Sequence, residues 1–150
     1  MTLTNAFRFL SVLFTAVAMA AGFAHLFELP NKINLSSEDY LIIQQIYRGW
    51  ALLGVVVVGA LVSTLVLTVM VRENYKMFYL TLTATLCIAL SLVVFFMLTY
   101  PANQQTLNWT RLPENWQELR RRWEYSHATN AGLYFGALIT LTLSFLVGRK

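Results

Sequence analysis

Four apolar stretches, Phe9 to Phe27, Trp50 to Val71, Met77 to Leu98 and Ala131 to Val147, decide what this chain can become. Each is about 17–22 residues long, enough for a helix to cross a hydrocarbon core of roughly 30 Å. Charged residues make up only 12% of the 150, about half the share usual in a soluble domain. Short connections make sequential helices neighbours of opposite direction. The expected fold is therefore all-α, an integral membrane up-down-up-down four-helix bundle forming one domain over residues 1–150. Ala18-Met19-Ala20 offers a small-x-small cleavage site, but the apolar run continues past it to Phe27. The first stretch reads as a retained helix rather than a secretory leader.

The net charge of +4 would point to nucleic acid in a soluble protein, but here it reads as orientation. With four spans, Arg8, Arg72, Lys76, Arg149 and Lys150 lie on one side in short segments, against Glu73. On the opposite side six basic residues are offset by six acidic ones across two long segments. The positive-inside rule then puts both termini of a multi-pass protein in the cytoplasm. No nucleic-acid partner is expected; the lipid bilayer is, and a homo-oligomer is compatible with the sequence. The single cysteine, Cys87, sits mid-span and reads as a small buried residue.

Punctuation residues set the expected element bounds. Helix 1 runs from about Asn5 to Glu28 and stops at Pro30. Ser36 or Ser37, followed by Glu38 and Asp39, caps a second helix that continues to about Val71. Helix 3 ends near Thr99, before Pro101, and Tyr100 to Leu112 is irregular. Helix 4 starts at Pro113, a favoured first helical residue, and runs to about Gly148. Helices 2 and 4 would thus project beyond the bilayer on the non-cytoplasmic side.

The segment "WQELRRRWEYSHATN" carries more chemistry than an apolar span needs. At about 100° per residue, Trp116, Arg120, Trp123, His127, Asn130 and Tyr134 share an arc of about 80° on helix 4. An interfacial anchor would stop at the boundary; this stripe continues inward, as an interior face would. Helix 1 has a small-residue face of Ala18, Ala21 and Gly22 that ends in His25. His25-x-x-Glu28 on helix 1 is mirrored by Glu124-x-x-His127 on helix 4. On antiparallel helices the only two histidines meet at one level, with both carboxylates about 4.5 Å further out.

Three readings of that constellation are open. His25, His127, Glu28 and Glu124 suit one iron, copper or zinc ion, or the two histidines a haem. The same residues suit a metal-free polar active site, with His127, Arg120 and Glu124 catalytic. They also suit an interhelical hydrogen-bond cluster, each Glu orienting a His or pairing with Arg120 or Arg48. Tyr40, Gln44, Tyr47 and Arg48 on helix 2, with Tyr100, Pro101 and Asn103 after helix 3, are placed to wall a pocket for a flat, apolar small molecule. Trp116, Trp123, Asn130 and Tyr134 would line the same pocket.

The stretches "AGFAHLFELPNKINLSSEDYLIIQQIYRGW" and "YPANQQTLNW…WQELRRRWEYSHATNAGLY" resemble the DUF1772, or anthrone-oxygenase-like, membrane proteins. The resemblance rests on Asn103 after helix 3 and on Trp123-x-x-x-His127 opening helix 4. It implies a small four-helix oxidoreductase, oxidising anthrone-like aromatics with dioxygen. A His or carboxylate would remove a proton, and Arg120 would stabilise the anion. The expected function is such an oxygenase-like enzyme at a site between helices 1 and 4. The competing expectation is a non-catalytic module binding haem, lipid or a partner subunit.

Overall fold

The computed structural model describes residues 2–147. Among them there is no strand, and four helical segments are long and apolar enough to cross a membrane: Leu3–Lys32, Trp50–Met70, Tyr75–Gln105 and Trp116–Val147. Six α-helices build these and the cap above them: α1 (Leu3–Lys32), α2 (Ser37–Gln44), α3 (Leu53–Met70), α4 (Tyr75–Val94), α5 (Tyr100–Gln105) and α6 (Trp116–Val147). Side-chain oxygens start three of them. Thr2 accepts from Asn5 N–H, Ser36 from Asp39 N–H and Asn74 from Met77 N–H, each satisfying an amide the helix leaves open.

Contacts run α1 to α3, α3 to α4, α4 to α6 and α6 back to α1, closing a four-membered ring of long helices. The interior is rich in small and hydroxylated residues, packed around Leu67, Ile88, Leu141, Met77 and Tyr134. The buried face of α1 is Ser11, Thr15, Ala18, Gly22, His25 and Lys32, without one large aliphatic side chain. Most of the hydroxyls bond back to their own helix, as Thr64 does to Ala60 O at 2.6 Å. Thr68 and Thr85 also bond each other across α3 and α4 at 3.1 Å. Many other large aliphatics, such as Val55, 74% exposed, and Leu86, 59%, face outward. This inverted pattern fits a hydrocarbon surround, where small residues let helices approach and hydrocarbon covers the rest. A Cβ added at Gly22 would lie 3.0 Å from Ala131 Cα, so α1 and α6 meet there at backbone distance.

The expected bounds need four corrections. Pro30 does not stop helix 1: it lies inside α1, which ends two residues later with Ile33 N–H bonded to Leu29 O at 3.0 Å. A proline near a C-terminus gives up only one backbone bond, so the last turn survives. The second helix is not continuous. After α2 come two 3₁₀ turns, Gln45–Tyr47 and Trp50–Leu52, joined through an extended Arg48 and a left-handed Gly49 at φ 89°. That φ favours glycine, and the break aims Tyr47 and Trp50 at one target.

Helix 3 does not end at Thr99. A π-helical segment, Phe95–Thr99, leads into α5, with Pro101 in the first turn of α5, where its missing N–H costs little. Helix 4 begins at Trp116 rather than Pro113, and the expected terminus at Gly148 lies outside the described residues. Arg149 and Lys150, used above for orientation, lie outside them as well.

The end of the bundle carrying α2, α5 and the first turns of α6 has a second core of Tyr40, Ala102, Trp109, Leu119 and Trp123. The loop before α6 is not featureless either. Leu107, Asn108 and Trp109 are all left-handed, at φ 49°, 55° and 58°. Three such non-glycine residues in a row are costly, and they turn Trp109 inward, 2% exposed, onto the Tyr40 ring at 5.1 Å.

Candidate functional site

The pairings Gly22 with Ala131, His25 with His127 and Glu28 with Glu124 run in opposite senses along α1 and α6. The imidazoles of His25 and His127 are stacked, with centroids 4.0 Å apart and planes 22° from parallel. Trp123, one turn before His127, meets both rings edge-on, at 4.9 Å and 4.3 Å. Tyr47 and Trp50, from either side of the Gly49 break, close on His25 at 4.4 Å and 5.5 Å. His25 is 4% exposed, and its Nδ1 has no hydrogen-bond partner. An orphaned polar atom at that depth is an unused proton donor or acceptor.

About two helical turns beyond His25 on α1, Lys32 reaches back to take the central place between the carboxylates. Its Nζ lies 3.2 Å from Glu28 Oε2 and 3.3 Å from Glu124 Oε2, and donates to the Tyr47 hydroxyl at 2.6 Å. It also stands 4.6 Å from the Tyr47 ring centroid and 5.4 Å from that of Trp123. Tyr47 in turn donates to Glu28 Oε2, and Tyr40 donates to Glu124 Oε1 at 3.0 Å. Glu124 Oε2 makes no hydrogen bond, so the Lys32 ammonium holds it by charge alone.

Burial, and next the Glu124 charge, push the Tyr40 phenol far above the usual tyrosine range. Burial and the hydrogen bond to Glu28 do the same to Tyr47. Both phenols therefore stay protonated and donate to carboxylates.

The other expected site residues divide between this centre and its surroundings. Asn103, from α5, accepts from Trp123 Nε1 at 2.8 Å and fixes the indole. Asn130 is 5% exposed with Oδ1 unpartnered, and Tyr134, 7% exposed, lies deeper in the bundle core. Gln44 is buried beyond Tyr40 with its amide nitrogen unpartnered.

Arg120 is not beside the histidines. Its guanidinium donates to Leu35 O at 2.8 Å and packs against Trp116 at 4.6 Å and Tyr40 at 5.3 Å, tying the α1–α2 linker to α6. Trp116 belongs to this clasp rather than to the histidine centre. Arg48 is exposed and bonds only its neighbour Gln45.

The four residues expected to ligate a metal do not converge. The two imidazoles face each other, and the cationic position between the carboxylates is filled by Lys32. Among the described residues no group of three or more His, Cys, Asp or Glu surrounds a common point. Two histidines that hold a haem iron point a ring nitrogen end-on at it from opposite faces, whereas His25 and His127 stack face to face with centroids 4.0 Å apart.

Lys32, Trp50 and Trp109 were missed by sequence reasoning. For Lys32 a signal existed: Glu28 and Lys32 stand four apart, the spacing of an intrahelical ion pair. Stopping helix 1 at Pro30 hid it.

The fold and this centre define an all-α chain with four helices able to span a membrane and a charged, aromatic cluster at one end of the bundle. Comparison with protein-family models, with curated proteins and with solved structures found no match.

Proposed function

We propose that this chain is an integral membrane oxidoreductase of oxygenase type, acting on a flat, lipid-soluble aromatic carbon acid. In this reading the four spans alternate in direction, both termini are cytoplasmic, and the histidine pair lies near the outer boundary. One observation carries it: a stacked imidazole pair, enclosed by Tyr47, Trp50 and Trp123, with a buried and unpartnered His25 Nδ1.

The chemistry follows from the side chains. A methylene between aromatic carbonyl and phenol groups is acidic, and a neutral imidazole has a free lone pair to take its proton. The Lys32 ammonium offsets one of the two charges on Glu28 and Glu124, which eases formation of an anion beneath them. Tyr47, held protonated, supplies a donor to a phenolate oxygen by turning its one O–H from Glu28 to the substrate. Dioxygen then takes up the carbanion's electrons. The methylene becomes a carbonyl holding one oxygen atom, and the other leaves with both hydrogens as water. The 3₁₀ strap Gln45–Leu52, broken at Gly49, carries two of the enclosing rings and is the natural way in.

The test is oxygen uptake by the protein in nanodiscs supplied with anthrone. Wild-type protein is expected to consume one dioxygen per quinone formed. His25→Ala and His127→Ala should each lose about 10²-fold or more, the usual worth of a general base. Uptake indistinguishable from empty nanodiscs would refute the assignment for this substrate class. The enclosure of His25 by four rings also supports a second reading, a non-catalytic clasp in a binding module. That reading predicts loss of stability in the histidine variants with no turnover in any of them.

A further inference from the structure

A second feature lies on the face of α6 turned away from the histidines. The π-helical turn Phe95–Thr99 pushes Phe96, Met97 and Leu98 outward, and they are exposed. Between Leu98 and α6 a groove of about 360 Å³ runs past Tyr125, Ser126 and Thr129 and ends outward at Arg121, Arg122 and Glu118, two positive charges against one negative. Its floor is fixed by the Thr99–Ser126 hydrogen bond at 2.7 Å.

Along α6, Arg121, Tyr125 and Thr129 are spaced four apart and share one side of the helix. From guanidinium level to Thr129 the drop is about 12 Å. Gly132, the next residue on this track, leaves the groove open downward, since a Cβ there would meet nothing within 4 Å.

The groove thus has a basic head and an apolar, laterally open body, in a segment able to span a membrane. Arg122 is partly neutralised by Glu118 at 3.4 Å, an exposed pair of little strength. Arg121 has no ion-pair or hydrogen-bond partner among the described residues. We infer that the groove seats one anionic phospholipid, its phosphate on Arg121 and Arg122 and an acyl chain over Leu98 and Tyr125. Charge selects the occupant: guanidinium forks match phosphate oxygens, and a zwitterionic headgroup brings an ammonium that they repel. A peptide would leave its backbone groups unsatisfied in the lower, lipid-facing half. This site is independent of the proposed oxidation.

Native mass spectrometry of the full chain in mild detergent, titrated with phosphatidylglycerol or phosphatidylcholine, tests it. One phosphatidylglycerol should bind at least about tenfold more tightly than phosphatidylcholine, because each basic residue near a membrane surface favours anionic lipid appreciably. R121Q/R122Q should abolish the preference and R121K/R122K should keep most of it. Leu98→Trp fills the groove without changing charge and should weaken binding of both lipids; it decides the matter if R121Q/R122Q does not fold. Equal affinities in wild type, a preference retained in R121Q/R122Q, or no effect of Leu98→Trp would each overturn the inference. Displacement of the lipid by millimolar inorganic phosphate would reduce the site to a plain anion site and overturn it too.

Discussion

Lys32→Met is the most informative single change in this protein. Lys32 is 3% exposed and is the cation that faces both Glu28 and Glu124. Removing one partner of a buried ion pair costs about 3–5 kcal/mol, because the other charge is left without compensation. The Glu28 side chain is 38% exposed, so water screens its share. The Glu124 side chain is fully buried and keeps only the Tyr40 hydroxyl as a donor. The loss should therefore fall at the low end, about 3 kcal/mol, and centre on Glu124. For a chain of this size that is roughly 6–12 °C in Tm, read from thermal unfolding in mild detergent. Adding Glu124→Gln removes the orphan charge but keeps an acceptor for Tyr40, and should restore about 2 kcal/mol of the loss. Lys32→Met as stable as wild type would refute the reasoning, as would a double variant no more stable than the single one.

Two further outcomes follow from the geometry. Gly22→Val drives a Cβ against Ala131 Cα at 3.0 Å, and should cost about 1–3 kcal/mol by prising α1 from α6; Gly132→Ala, with open space around it inside α6, should cost nothing and stabilise by up to about 1 kcal/mol in the same assay. The Tyr40 and Tyr47 phenols are raised above their unfolded value, so their neutral forms contribute fully below about pH 10 and that contribution is lost as pH rises beyond it. Stability measured from pH 8 to 11 should fall along an alkaline limb that Tyr40→Phe/Tyr47→Phe lacks, and parallel curves would contradict this.

The long spans were legible because an apolar run of sufficient length in a chain with few charges has one economical solution. The level of His25 against His127 was legible too, since reversed three-residue spacings on opposed helices fix relative height. Local breakers were read too strictly. Pro30 and Pro101 sit where a helix tolerates a missing amide, and Gly49 breaks a segment read as one helix from its serine cap to Val71. Those three positions decide the site. The turn beyond Pro30 delivers Lys32, the break at Gly49 delivers Tyr47 and Trp50, and the continuation through Pro101 delivers Asn103 to Trp123. The position of Arg120 was illegible for another reason. Helical periodicity gives the direction of a side chain, but its partner, Leu35 O, lies on a linker whose path the sequence does not encode by any period.

Deuterium loss under argon tests the histidine pair most directly. Anthrone labelled at its methylene carbon is incubated with the protein in nanodiscs, without oxygen, so that proton removal is observed apart from oxidation. Wild-type protein should wash the label out well above the rate in empty nanodiscs, with His25→Ala and His127→Ala slower by about 10²-fold. Retention of the label by wild-type protein, or washout in both variants as fast as in wild type, would contradict the account.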